Sequence, residues 1–176
     1  MTPPTAAIVQ ERTKLLHFDH DHALASWEST FVIWWRFDTT QAAVDRLHTE
    51  LGNFCENHVA PSVLTIIGSG AQLPPTEVRE RLAAILRDHA HVVASAVVFE
   101  GTGFRAAAVR SVVTGLSLIA RQPFPHRIFA EVHEAALWLA REQHKPTSEA
   151  TGLIQAIEYL RSEVGSIAVP PRSGAR

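Results

Sequence analysis

Val63-Leu64-Thr65-Ile66-Ile67-Gly68-Ser69-Gly70 is the stretch that decides the fold. A short apolar run without strict alternation, broken by a glycine turn, reads as a strand buried on both faces. Pro74-Pro75-Thr76-Glu77 then gives a helix-start signal. Val78, Leu82, Ile85 and Leu86 follow at helical spacing, and Val92 to Phe99 is a second apolar run. Strand, helix and strand in this order imply a right-handed crossover and parallel pairing.

The same alternation extends in both directions. Phe31-Val32-Ile33-Trp34-Trp35-Arg36-Phe37 is rich in aromatic and β-branched residues, as strands are. Asp38 offers an N-cap with Gln41 as its box partner. Val44, Leu47, Leu51, Phe54 and Cys55 then give residues 40–57 one apolar helical face. Leu15 to Phe18 and His22 to Trp27 read as short strands that form an antiparallel edge hairpin. Beyond Phe99, Glu100-Gly101-Thr102-Gly103 turns into an apolar helix over 104–121, which Pro123 and Pro125 end. Arg127 to Ala130 is a last short strand, and residues 133–143 form a further helix. Leu153, Ile154, Ile157, Leu160 and Val164 mark an extra C-terminal helix, 148–164, whose apolar stripe must dock on the domain or on a second copy.

The expected fold is therefore α/β. A mixed, mainly parallel sheet carries an antiparallel N-terminal edge hairpin and is covered by helices. Residues 13–164 make one domain, between a flexible arm at 1–12 and a flexible tail at 165–176.

Composition narrows the function. The 176 residues, 46% hydrophobic and 19% charged, are those of an ordinary globular chain. A net charge of −2 argues against general affinity for nucleic acid or an anionic membrane. No run is long enough to span a bilayer, and no secretory signal opens the chain. The single cysteine, Cys55, forms no internal disulfide and reads as a buried structural thiol. A reducing cytoplasm fits best.

The layout from about residue 22 to 142 resembles the STAS-like fold, which includes bacterial anti-sigma-factor antagonists and lipid-binding CRAL-TRIO-like modules. The closest wording is Phe129-Ala130-Glu131-Val132-His133-Glu134-Ala135-Ala136-Leu137-Trp138-Leu139, similar to that fold's closing strand and helix. The resemblance implies a non-enzymatic regulatory or scaffolding module that binds a protein partner in a bacterial cytoplasm. It also implies a phosphoacceptor serine after the third strand, and Ser69 stands there. Where that switch has an acid shortly before the serine, this chain has Thr65-Ile66-Ile67-Gly68.

Three local patterns bear on chemistry. Gly101, Thr102, Gly103 and Arg105 lie between a strand end and a helix start, where α/β sheets meet ligands. Free N–H groups and Arg105 there suit an acidic group on a partner, or a small anionic or lipid-like ligand. The tract His17-Phe18-Asp19-His20-Asp21-His22 holds metal-ligand residue types. On a continuous strand, however, His17, Asp19 and Asp21 face away from His20 and His22. The tract therefore reads as a polar hairpin, with no metal and no cofactor expected. His89 and His91 flank Ala90 at a helix end, where histidine interacts favourably with the helix dipole, and a capping role accounts for them. No nucleophile elbow or catalytic triad is legible.

Overall fold

The computed structural model describes residues 4–89, 91–101, 111 and 123–166. Six strands form one mixed sheet in sequential order: β1 (Thr13–Phe18), β2 (His22–Trp27), β3 (Thr30–Trp35), β4 (Ser62–Ile67), β5 (Ala94–Phe99) and β6 (His126–Phe129). The β1–β2 and β2–β3 pairs are antiparallel, and β3 to β6 run parallel. Among the described residues there are five helices: α1 (Ala6–Arg12), α2 (Gln41–Asn57), α3 (Thr76–Asp88), α4 (Val132–Glu142) and α5 (Thr147–Ser166). None is long and apolar enough to cross a membrane. The expected helix at 104–121 lies outside the described residues, as does the tail beyond Ser166.

The sheet divides two cores. On one face, Leu24, Phe31, Ile33, Trp35 and Val63 pack against Val44, Leu47, Leu51 and Phe54 of α2 and Val78 and Ile85 of α3. On the other, Ala23, Ala25, Val32, Leu64, Ile66 and Ala96 pack against α4 and α5. Strand β4 thus sends Val63 one way and Leu64 and Ile66 both into the opposite core or its boundary, which is why its run is apolar throughout. Cys55 is buried in the α2 core, and burial pushes its thiol up to about 11, so it stays protonated and inert.

Two details differ from the sequence reading. Residues 6–12 are not a loose arm: they form α1, whose Val9 is buried against the α5 side of the sheet. Helix α2 is capped by Thr40, whose hydroxyl accepts from the Ala43 N–H at 3.2 Å, and not by Asp38. His89 stands at the C-cap of α3, the helix end where the sequence places it. Burial and the neighbouring His48 both push it below the ordinary imidazole range.

His126 on β6 is a second such histidine. Burial alone lowers it, and neither ring nitrogen has a hydrogen-bond partner. The native state therefore favours neutral imidazole. As pH falls below about 6.5, the unfolded chain takes up the proton first and stability drops. The loss continues until native His126 protonates as well. Thermal unfolding between pH 7.5 and 5 should show a falling midpoint, and His126→Leu should flatten that fall. Parallel curves for parent and variant would show that His126 contributes nothing to it.

Candidate functional site

The strand directions bring four connections to one end of the sheet. The parallel strands β3, β4 and β5 end there, and antiparallel β2 begins there. The hairpin turn at 19–21, the segment after Trp35, the Gly68-Ser69-Gly70 turn and Glu100-Gly101 therefore share one rim. Hydrogen bonds tie them in sequence. The N–H groups of Arg36 and Phe37 both donate to the Asp21 carbonyl, at 2.7 and 3.2 Å. Gly68 N–H donates to Trp35 O, and Gln72 N–H to Phe37 O, each at 2.8 Å. Glu100 N–H donates to Ile67 O at 2.8 Å. This is the end at which open α/β sheets hold ligands.

The glycines here are needed for space. A Cβ on Gly70 would lie 2.9 Å from the Phe37 ring and 3.0 Å from Arg36 O. A Cβ on Gly101 would run into the Phe99 ring. Gly101 therefore serves close packing on its own strand and does not occupy the left-handed region. Ser69 is exposed in its turn. Thr102, Gly103 and Arg105 lie outside the described residues.

On the α5 side of the rim stands Trp34, half-buried, with two guanidinium groups over its ring. Arg36 lies 5.3 Å and Arg161 5.9 Å from the ring centroid. Arg161, from α5, also pairs with Glu100. Trp34 and Arg36 are two apart on an extended chain, so their common side was legible from alternation. Arg161 could not be placed there from sequence, because it comes from the added helix.

On the α2 side the hairpin gathers His17, Asp19 and His22. On a continuous strand these residues would point to opposite faces, but the chain here is not a continuous strand. The register shifts between Leu15 and His17, and Asp19 N–H donates to His22 O across a tight turn. Asp19 Oδ1 accepts from the N–H groups of Asp21 and His22, at 2.8 and 2.9 Å. The two imidazoles now lie with centroids 4.9 Å apart, and His22 stacks on Trp35 at 5.3 Å. Burial works against the Asp19 charge, but the backbone donors and the imidazoles outweigh it and hold the carboxyl below its usual range. Burial pushes His22 below the usual imidazole value, against the pull of Asp19.

The opposite end of the sheet carries an open polar groove of about 510 Å³, lined by Arg12, Lys14, Glu28, His58 and Lys145 among others. Three non-glycine residues with left-handed backbone, Glu28, Ala60 and His144, belong to the turns at that end. The Gln143 side-chain amide donates to Ser29 O, Ser29 Oγ and Ala60 O, which locks these turns together. Its lining comes from segments far apart in the chain, so no local pattern announced it.

In comparison with known proteins, this chain matches no family model, no curated protein and no solved structure.

Proposed function

We propose that this chain is a non-catalytic, STAS-like regulatory or scaffolding module that binds a protein partner in a bacterial cytoplasm. Its working face is the rim at the carboxyl ends of β3, β4 and β5. The observation that carries this reading is Trp34 held under Arg36 and Arg161 beside Glu100 and Gly101. Trp and Arg are the residues that most often anchor protein interfaces, because each buries a large surface and still offers polar contacts. Arg36 suits an acidic group on the partner, while Arg161 is already paired with Glu100. The exposed Ser69 on the same rim is where added phosphate would alter that contact.

The test is affinity capture by the full chain, read beside native mass spectrometry of freshly purified protein. Arg36→Ala with Arg161→Ala should lose the captured partner while the protein still melts cooperatively, since half-exposed charges add little stability. Arg105→Ala tests the sequence-defined stretch in the same assay. If the double variant keeps every interaction, the rim is not the interface. A small-molecule mass on the parent, with no partner protein, would replace this reading with ligand binding.

A further inference from the structure

We propose that His17, Asp19 and His22 form a binding site for one divalent transition-metal cation of the zinc class. One ligand atom from each residue lies within 4.8 Å of the others. His17 Nε2 is 3.4 Å from Asp19 Oδ2, and His22 Nδ1 is 3.0 Å from Asp19 Oδ1. Zinc bonds of about 2.0–2.1 Å in a tetrahedron put neighbouring ligand atoms about 3.3 Å apart. The two separations lie near that value on different oxygens of Asp19, so side-chain rotation must bring one oxygen to both imidazoles.

His22 supplies the second, independent observation. It is 1% exposed, and its Nε2 has no hydrogen-bond partner. Its Nδ1 is near Asp19 Oδ1 but is not aligned with it as a hydrogen bond. A metal bond at Nδ1, the nitrogen that faces Asp19, would replace the hydration which that buried atom has lost, while Nε2 would keep its own cost. The surroundings fit a ligand set. Two backbone N–H groups hold Asp19 through Oδ1, as outer partners of metal ligands do, and leave Oδ2 the less encumbered oxygen. The His22 ring is further oriented by its stack on Trp35. The His17 and Asp19 side chains are 23% and 46% exposed, which leaves an entry path and a coordination position open to water or to an outside group. Nitrogen and carboxylate donors without thiolate select zinc-class ions over calcium or magnesium. Arg46 adds an opposing positive charge near His22.

The experiment uses the full chain after chelator treatment, with zinc ion alone as the probe. Calorimetric titration should give one equivalent bound, and zinc should raise the melting temperature by several degrees. Long-range nitrogen–proton spectra should show the His17 and His22 imidazoles shifting together. His17→Ala and Asp19→Asn should each weaken binding by about tenfold or more. Both variants should fold: His17 is partly exposed, and an asparagine oxygen can still accept the two turn N–H bonds. Metal-free melting curves check this. His89→Ala, at the His48–His89 ring pair, should bind zinc like the parent. No zinc binding by the parent would overturn the proposal. So would unchanged binding in His17→Ala and Asp19→Asn, or loss of binding in His89→Ala with both hairpin variants intact.

Discussion

Ending the chain after Lys145 should leave a protein that does not fold cooperatively. The truncation removes α5, whose Leu153, Ile157, Leu160 and Val164 are each 1–3% exposed. Burying one such side chain is worth about 1.5–3 kcal/mol, so the four together contribute about 6–12 kcal/mol. A domain's whole stability is about 5–15 kcal/mol. The helix also lies unusually close to the sheet. Gly152 leaves room for the Trp27 ring, which a Cβ would overlap, and Ala150 and Ala156 continue that small-residue face. Its stripe docks on its own domain, so the expected readout is aggregation and a lost melting transition, not the loss of a dimer. A soluble truncated chain with a normal cooperative melt would show that α5 is dispensable.

Ile66→Asp should be as damaging for a different reason. Ile66 is 1% exposed in β4, between β3 and β5, and belongs to the core under α4 and α5. Among the described residues, no lysine or arginine is buried to pair with a carboxylate there. The aspartate must either stay charged in an apolar medium, at several kcal/mol, or bind a proton to become neutral. The variant should fail to accumulate as folded protein at neutral pH. Normal expression with an unchanged melting temperature would refute the two-sided burial of β4.

What was legible in the sequence divides along physical lines. Helices α2 to α5 each carry an apolar stripe of one period, strands β3, β4 and β5 are short apolar runs bounded by turn signals, and each is legible within a few residues. Helix α1 was missed because its seven residues contribute one buried side chain, Val9; docking on α5 holds it, not local periodicity. The helix cap was misplaced because Asp38 and Thr40 are both good N-caps, and only the backbone path chooses between them. The histidine tract failed on register. Alternation gives the correct sides only for an unbroken strand, and here a register shift and a turn fall within six residues. The rim was half legible: its strand ends were visible, but the guanidinium of Arg161 arrives from a helix far along the chain.

The route of α5 sets an order of events during synthesis. This helix covers the face of β2, including Ala23, Ala25 and Trp27, and it also meets α1. Those early residues leave the ribosome long before the helix that shelters them. Until α5 emerges, the nascent chain presents an aromatic sheet face to the cell. During that interval Trp27 is a natural place for a chaperone to hold the chain. A translational pause before the helix has cleared the ribosome would lengthen the exposure.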